Sequence, residues 1–273
     1  MTFQQKLDAI VQKNNSLVCI GLDSDWNKLP EAVKKEEYPQ FAFNKAIIDS
    51  THDLVCAYKP NSAFYEDLGS EGIRQLKLTC DYIKDRYPEI PIIIDAKRAD
   101  IGSTNAGYIS YIFDYLGADA VTLNPYLGKE ALQPFLKRHD KGIIILCRTS
   151  NPGAGEFQDL LIENQPLYMQ VAQQVITQWN SNHNCLLVVG ATYPEELAKI
   201  RKIAGDMTFL VPGIGAQGGS VQATVAAGLN SQKMGMIINS SRGVIFSSGT
   251  SDFAQAARTE AEKLRTEINQ YRS

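Results

Sequence analysis

Short apolar runs alternate with longer amphipathic stretches along the whole chain. The runs are rich in Val, Ile and Leu, span about four to eight residues and lack polar alternation, which is typical of strands buried on both faces of a parallel sheet. The stretches between them have the length of helices, so the pattern predicts repeated βαβ units. The eight predicted strands lie within residues 17–23, 54–61, 90–97, 120–125, 142–149, 185–192, 208–215 and 235–241.

Eight βα units in a chain of 273 residues indicate a (β/α)₈ barrel, a fold that commonly uses about 250 residues. No low-complexity linker or shift in composition divides the chain, so we expect residues 1–273 to form a single domain. The alternative is an open, doubly wound sheet, which usually carries fewer strands and a fingerprint near its N-terminus. Residues 24–54 and 150–184 exceed a minimal loop and helix, which predicts elaborations over the barrel mouth.

The composition is that of an ordinary soluble globular protein, with 44% hydrophobic and 21% charged residues. The 27 Lys and Arg residues nearly balance the 30 Asp and Glu residues, and the formal net charge is -3. This balance provides no broad positive field for a nucleic acid or an anionic membrane surface. No apolar stretch reaches the roughly 18 residues of a membrane span. Any anionic ligand must therefore be held by a local site.

The cysteines indicate a reducing compartment. They number five, never form a C-x-x-C pair, and lie mostly in apolar runs, where a reduced cysteine packs as a small hydrophobe. Residues 1–16 have the pattern of an amphipathic helix and not that of a signal peptide. We therefore expect a cytoplasmic protein. The cysteines stand at Cys19, Cys56, Cys80, Cys147 and Cys185.

Charged residues close the first three predicted strands. Asp23, Lys59 and Asp95 are 36 residues apart each time, which is close to one βα unit, so their side chains should meet at one level of the barrel mouth. Lys97 should share the inward face of Asp95, because side chains on a strand alternate with a period of two. A paired Lys/Asp cluster in this position predicts a perturbed proton donor. The alternative is a solvated ion pair at the strand end.

The seventh and eighth predicted units have the features of a phosphate site. Residues 211–219 contain G-x-G-x-x-G, but no Asp or Glu occurs from Met207 to Ser251, so the carboxylate of a dinucleotide site is missing. The glycine-rich backbone and Arg242 suit a phosphate dianion, which barrels often bind with the loops after strands 7 and 8. The alternative is two tight turns that need glycine for close packing.

Two further features complete the candidate chemistry. Residues 148–153, Arg-Thr-Ser-Asn-Pro-Gly, form a turn whose polar groups suit the edge of a heterocycle, or serve only as caps and turn residues. His52, His139 and His183 show no spacing of metal ligands, and each is expected at the surface. The sequence therefore predicts a site built from Lys, Asp and phosphate-binding groups, with no metal.

Residues 95–104 read Asp-x-Lys-x-x-Asp-Ile-Gly-x-Thr. This is the signature of the orotidine 5'-phosphate decarboxylase family, and the chain resembles the longer bacterial branch of that family. Further matches are Gly-Leu-Asp23, Lys59-Pro-Asn61, the Ser-Asn-Pro-Gly of 150–153, the Pro-Gly-Ile-Gly-Ala-Gln-Gly-Gly of 212–219 and the Ser-Arg-Gly of 241–243. Asn-Pro-Tyr-Leu-Gly at 124–128 is the feature that indicates the bacterial branch.

This resemblance implies a (β/α)₈ barrel that converts orotidine 5'-phosphate to UMP, the last step of de novo pyrimidine nucleotide biosynthesis, without a cofactor. It implies that Lys97 protonates C6 as the carboxylate leaves and that Asp95 faces the substrate carboxylate. Lys59 and Asp100 would complete an alternating Lys-Asp-Lys-Asp chain that fixes Lys97. Arg98 is an additional charge within the signature.

The resemblance also implies how the substrate is bound. Asp100, Ile101 and Thr104 would reach into the neighbouring subunit's site, which implies a homodimer. The other implied contacts are Asp23 on the ribose, Ser150 or alternatively Thr149 on the pyrimidine amide edge, Pro212 beside the pyrimidine, and Gln217 and Arg242 on the phosphate.

Two rival functions make different demands on the same residues. A metal-assisted decarboxylase or aldolase acting on keto-sugar phosphates would want an acidic metal ligand at the position of Lys59. A barrel that only senses a phosphorylated ligand leaves the predicted Lys/Asp chain unexplained. Decarboxylation without a cofactor accounts for both Lys59 and the predicted Lys/Asp chain, because the reaction leaves a carbanion that only preorganised charge stabilises.

Overall fold

A computed structural model describes residues 1–214 and 218–272, and it contains each of the eight predicted strands. All eight are parallel members of one sheet. A small antiparallel hairpin, Leu161–Ile162 with Gln165–Pro166, lies apart from it. The sheet strands are β1 (Val18–Ile20), β2 (Ala57–Tyr58), β3 (Ile93–Arg98), β4 (Ala120–Leu123), β5 (Gly142–Arg148), β6 (Cys185–Val189), β7 (Phe209–Pro212) and β8 (Met236–Ser240).

The sheet closes on itself. Its strand order is β2-β1-β8-β7-β6-β5-β4-β3, and the two end strands are joined by the parallel bridges Tyr58–Ile92 and Asn61–Asp95. The backbone N–H of Tyr58 donates to Pro91, and that of Asp95 donates to Pro60, both at 3.0 Å. The predicted (β/α)₈ barrel is therefore confirmed, and the open doubly wound sheet is wrong.

Helices surround the barrel. The α-helices are α1 (Phe3–Asn14), α2 (Pro39–Thr51), α3 (Ala63–Glu66), α4 (Gly69–Arg86), α5 (Gly102–Ile109), α6 (Gly128–Leu136), α7 (Gly155–Gln158), α8 (Leu167–Gln174), α9 (Pro194–Ala204), α10 (Val221–Gly228), α11 (Arg242–Ile245) and α12 (Phe253–Gln270). Buried apolar side chains form one continuous cluster from Phe3 to Ile268. Among the described helices, none combines the length and apolar character that crossing a bilayer requires.

The two long segments predicted to cover the mouth differ in where they lie. Residues 150–184 contain a 3₁₀ turn, α7, the hairpin and α8, and they bring Asn151 and Gln158 to the cavity described below. Residues 24–54 contain two 3₁₀ turns and α2 but contribute no described lining residue. Helix α2 packs against α4 and α12, and the Gln40 side chain donates to the backbone oxygens of Ser24 and Phe64, both at 2.8 Å.

All five cysteines are buried and free, in agreement with their interpretation as small apolar residues. Burial raises the pKa of the thiols of Cys19, Cys80, Cys147 and Cys185 to about 12. A thiol with so high a pKa carries little thiolate at neutral pH and is a poor nucleophile. These side chains therefore serve packing.

One arginine ties the amino-terminal ends of the last strands together. The Arg201 guanidinium lies 3.7 Å from the centroid of the Phe209 ring. All of its nitrogens donate to backbone carbonyl oxygens that precede β7 or β8 or end α10. The acceptors are Gly205 at 2.7 Å, Met207 at 2.6 Å, Gly228 at 2.9 Å and Gly235 at 2.9 Å.

We expect Arg201→Ala to lower the free energy of unfolding by about 3 kcal/mol or more, because several charge-assisted hydrogen bonds are lost together. Urea unfolding followed by circular dichroism measures the effect. Lys13→Ala is the control: it removes an exposed ion pair with Glu89 and should change stability by less than about 1 kcal/mol. Equal stability of Arg201→Ala and wild type would refute this role of Arg201.

Candidate active site

A cavity of about 450 Å³ opens at the carboxyl ends of the barrel strands. Each of the eight strands, or the loop directly after it, contributes to its lining. This is the end of a (β/α)₈ barrel at which chemistry is carried out. The cavity brings together seven of the residues singled out from the sequence: Asp23, Lys59, Asp95, Lys97, Ser150, Pro212 and Arg242.

Asp95 is the centre of the charged cluster. Its Oδ2 accepts a hydrogen bond from Lys59 Nζ at 2.8 Å, and its Oδ1 accepts one from Lys97 Nζ at 2.7 Å. Oδ1 also accepts a hydrogen bond from the Thr122 hydroxyl at 2.9 Å. Asn61 Nδ2 lies 3.5 Å from Oδ2. The predicted Lys-Asp-Lys arrangement is thus present as a directly bonded cluster, with Lys59 and Asp95 buried.

The cluster fixes the charge of its members. Burial alone favours the neutral acid, but the ammonium groups of Lys59 and Lys97 outweigh it and hold the pKa of Asp95 well below its usual range. Burial likewise opposes the charge of Lys59, but Asp95 and Asp23 outweigh it and raise the pKa of Lys59 above its usual value. At neutral pH the cavity therefore holds a buried carboxylate beside a buried ammonium group.

Lys97 reaches Asp95 through a bulge and not through simple strand alternation. The pairing of Ile94 with Val121 and of Arg98 with Leu123 sets four residue steps on β3 against two on β4. Lys97 has a φ of 47°, in the left-handed region that non-glycine residues seldom adopt. Its side chain is 48% exposed, so the ammonium group faces the open cavity. Bulges of this kind redirect side chains beside active sites.

Asp23 follows β1 and presents an unsatisfied acceptor. Its Oδ1 is buried and has no hydrogen-bond partner among the described residues. A buried acceptor without a partner costs free energy, which a ligand hydroxyl recovers by donating to it. The strand approaches the β8 loop so closely that a Cβ at Gly21 would lie 1.8 Å from the Ser241 Oγ. Glycine at this position therefore lets Asp23 stand beside the β8 loop.

The turn after β5 distinguishes Ser150 from Thr149. The Thr149 hydroxyl is occupied, since it donates to Asn151 Oδ1 at 2.6 Å and accepts from Gln158 Nε2 at 2.8 Å. Ser150 also lines the cavity, and its hydroxyl has no recorded hydrogen bond within 1–214 and 218–272. Ser150 is therefore the hydroxyl free to bind a ligand.

Arg148 stands behind this turn and not in the cavity. It is buried, and its guanidinium lies 3.9 Å from the centroid of the Tyr193 ring. It donates to Gln158 Oε1 at 3.3 Å and to Asp159 Oδ2 at 3.2 Å. Of the polar turn recognised in the sequence, Arg148 thus supports the loop, while Thr149, Ser150 and Asn151 line the cavity.

The rim formed after β7 and β8 is cationic. Pro212 and Gly213 line it on one side, and Ser241, Arg242 and Gly243 on the other. Arg242 is exposed and has no carboxylate partner in the described part of the chain. Gln217, which the resemblance assigns to the phosphate, lies outside the described residues. An unpaired guanidinium on a rim without acidic residues suits a phosphate dianion.

Asp100, Ile101 and Thr104 do not line this chain's own cavity. The buried Asn105 fixes the backbone here: its Oδ1 accepts from Asp100 N at 3.0 Å, and its Nδ2 donates to Ala131 O at 2.7 Å. Ile101 is 60% exposed, and Thr104 is exposed. Within one chain, the Lys-Asp-Lys cluster therefore ends at Lys97 and does not extend to Asp100.

Four polar residues that line the cavity were not singled out as site residues from the sequence: Thr122, Gln158, Asn239 and Ser240. Asn239 has a buried Oδ1 without a partner in the described chain. Thr122 and Asn239 were recognisable, since each is a polar residue within a predicted apolar strand. Gln158 belongs to α7, a short helix in the loop after β5, and no pattern in the sequence indicates that its side chain points toward the cavity.

The three histidines stand apart from the cavity. His139 and His183 are exposed, and His52 stacks on Tyr87 with a centroid distance of 4.3 Å. No cluster of three or more potential metal-binding side chains occurs among residues 1–214 and 218–272.

A parallel barrel with a Lys-Asp-Lys cluster and a cationic rim at its catalytic end has the architecture of a barrel enzyme for a phosphorylated substrate. The model of the orotidine 5'-phosphate decarboxylase / HUMPS family matches residues 16–258. The orotidine 5'-phosphate decarboxylase of Cellvibrio japonicus is 54% identical over 98% of this chain and 98% of its own length. That of a Janthinobacterium species is 49% identical over 99% of both chains. The chain therefore belongs to the orotidine 5'-phosphate decarboxylase / HUMPS family.

Solved structures agree with this family. The orotidine 5'-phosphate decarboxylase of Leishmania donovani has a TM-score of 0.86 and 38% identity, and the match covers 100% of this chain and 99% of that one. The UMP synthase of the same organism has a TM-score of 0.87 and 40% identity, with 57% of its chain covered. Both similarities extend over the whole barrel described above.

Proposed function

We propose that this protein decarboxylates orotidine 5'-phosphate to UMP without a cofactor, the last step of de novo pyrimidine nucleotide biosynthesis. The observation that carries the proposal is the bonded cluster of Lys59, Asp95 and Lys97 at the mouth of the barrel. The named decarboxylase relatives, which match almost the full length of the chain, support it.

In this mechanism Asp95 faces the substrate carboxylate and Lys97 faces C6. The bond between C6 and the carboxylate breaks, its electron pair stays on C6, and carbon dioxide leaves. A proton from the Lys97 ammonium then bonds to C6 and gives UMP, and the half-exposed amine recovers a proton from solvent. The cluster fixes positive charge beside the developing carbanion before the substrate arrives, so little reorganisation is needed during the reaction.

The remaining lining residues hold the substrate. Asp23, with its free buried oxygen, binds ribose hydroxyls together with Lys59. The Ser150 hydroxyl binds the amide edge of the pyrimidine, and Pro212 packs beside the ring. Arg242 and Gln217 bind the phosphate, far from the reacting carbon. Binding free energy from this remote phosphate is available to orient the base over Lys97.

We further propose a homodimer with shared active sites, in which Asp100, Ile101 and Thr104 enter the partner's cavity. The exposure of Ile101 and Thr104, together with the fixed backbone at Asp100, supports this arrangement. The single continuous core supports one domain over residues 1–273. The five buried, free cysteines suit a cytoplasmic enzyme.

The proposed activity is tested by following the loss of orotidine 5'-phosphate absorbance with and without a metal chelator. We expect turnover that the chelator leaves unchanged. Chelator-sensitive turnover of a keto-sugar phosphate, with none of orotidine 5'-phosphate, would assign the protein to the other activity class of its family. Binding of the nucleotide without turnover would assign it to phosphate-ligand sensing.

Arg242→Ala is expected to lower kcat/KM for orotidine 5'-phosphate, because a charge-assisted hydrogen bond to the phosphate is lost. The loss should correspond to about 2–3 kcal/mol of transition-state free energy. The same variant should process the phosphate-free nucleoside orotidine as well as wild type does. Steady-state kinetics on both substrates measure the difference, and Arg242→Lys, which keeps the charge, should lose less. Equal losses on the two substrates would show that Arg242 does not contact the phosphate.

A further inference from the structure

The bulge in β3 leaves one residue of β4 facing it. Ile94 pairs with Val121 and Arg98 pairs with Leu123, so Thr122 alone lies opposite the three bulged residues. Thr122 is 1% exposed and belongs to the lining of the cavity. A strand bulge interrupts the regular ladder and leaves backbone groups that need other partners.

The Thr122 hydroxyl replaces the missing ladder contact. It accepts the backbone N–H of Lys97 at 3.0 Å and donates to Asp95 Oδ1 at 2.9 Å. The same Oδ1 accepts Lys97 Nζ at 2.7 Å. One hydroxyl thus contacts Lys97 at its backbone and, through a carboxylate oxygen, at its ammonium group.

The two contacts of Thr122 hold the two parts of Lys97 that most need support, its left-handed backbone and its flexible side chain. Lys97 holds a left-handed backbone without being glycine, and such a conformation persists only where the surroundings determine it. Its flexible side chain ends in a half-exposed ammonium group, for which Asp95 is the acceptor that the structure records. A misplaced proton donor costs rate even when substrate binding is intact.

We propose that Thr122 is a positioning residue for Lys97: its hydroxyl fixes both the left-handed backbone of Lys97 and the carboxylate that aims the Lys97 ammonium group. It acts on the step after substrate binding, since phosphate, ribose and base are held by other residues. The inference rests on the proposed decarboxylation and adds a residue to it.

The test compares Thr122→Val, which removes the hydroxyl and keeps the shape, with Thr122→Ser, which keeps the hydroxyl. We expect Thr122→Val to lower kcat for orotidine 5'-phosphate about 10- to 100-fold with little change in KM, because the donor is displaced while binding contacts persist. Thr122→Ser should recover kcat to within about threefold of wild type. Titration calorimetry with UMP should give wild-type affinity for both variants.

Thr208→Val is the matched control. Thr208 is also a buried threonine, and its hydroxyl donates to Gln4 at the opposite end of the barrel, at 2.9 Å. This variant should retain the kcat of wild type. If Thr122→Val proves insoluble, Thr122→Ala replaces it, and the ratio of kcat between the Ser and Ala variants carries the same test.

Three results would overturn the inference. The first is a wild-type kcat in Thr122→Val (or in Thr122→Ala, where that replaces it), and the second is an effect of that variant confined to KM. The third is a Thr122→Ser variant as slow as the variant without the hydroxyl. Wild-type protein assayed in parallel separates failure of the role of Thr122 from failure of the proposed function. If the wild type itself does not consume orotidine 5'-phosphate, the proposed function fails; if it does and Thr122→Val equals it, only the role of Thr122 fails.

Discussion

Lys97→Ala is expected to lower kcat for orotidine 5'-phosphate by about 10³-fold or more, because the carbanion loses both its proton donor and the nearest positive charge. Binding of UMP should stay measurable, since the residues proposed to hold the phosphate and ribose do not contact Lys97. Steady-state kinetics and titration calorimetry with UMP measure the two effects separately. A loss confined to kcat is the signature of an interaction made in the transition state.

The matched control is Lys45→Ala, which removes an exposed lysine that pairs with Asp49 along α2. This variant should keep wild-type kinetics, because its side chain is remote from the cavity lining. Retention of even a tenth of wild-type turnover by Lys97→Ala would contradict the role of Lys97 as proton donor.

Mixing two inactive variants is expected to restore activity if Asp100 serves the partner's site. Lys97→Ala and Asp100→Ala should each be nearly inactive alone. In a mixed dimer one site carries both substitutions, while the other takes Lys97 from one chain and Asp100 from the other and is intact. Random reassortment makes about half the dimers mixed, so activity should recover to roughly a quarter of wild type.

The measurement is an activity assay after the two proteins have exchanged subunits. Exchange itself is demonstrated independently by pull-down of differently tagged chains. A mixture of Lys97→Ala with Asp95→Asn serves as the control, since both substitutions lie in the same cavity and no mixed dimer contains an intact site. Demonstrated exchange without recovery would mean that Asp100 acts within its own chain or has no catalytic role.

The barrel was predictable because its strands appear in the sequence as distinct apolar runs. Strands buried on both faces must be almost entirely apolar, and the runs at 142–147 and Cys185–Val189 show how clearly such strands can be recognised. The carboxyl ends of parallel strands meet at one end of the barrel. Asp23, Lys59 and Asp95 were therefore predicted to share a cavity from their spacing alone, and they do.

The local geometry at Lys97 was not predictable in the same way. Period-two alternation correctly predicted that its side chain meets Asp95, but the structure achieves this with a bulge and a left-handed backbone. A bulge depends on the register between two strands, which the apolar pattern of either strand does not specify. Thr122 stands out as a polar residue in an apolar strand, but its place opposite the bulge was not predictable, because it depends on the same register.

The choice between Ser150 and Thr149 also required three-dimensional contacts. Both are small hydroxyl residues in one turn; the resemblance favours Ser150, but the residue types alone do not separate the two. The distinction comes from Gln158, nine residues beyond Thr149, whose amide occupies the Thr149 hydroxyl. The partnership of Asp100 depends on a second subunit, so it stays a prediction.

A crystal structure of the protein with UMP bound tests the central claim most directly. The account predicts that C6 of the uracil lies within about 3.5 Å of Lys97 Nζ, the distance of a near-attack arrangement. The phosphate should contact Arg242, and the amide edge of the base should contact Ser150. A nucleotide bound with its C6 directed away from Lys97 and Asp95 would contradict the account, whatever the measured affinity.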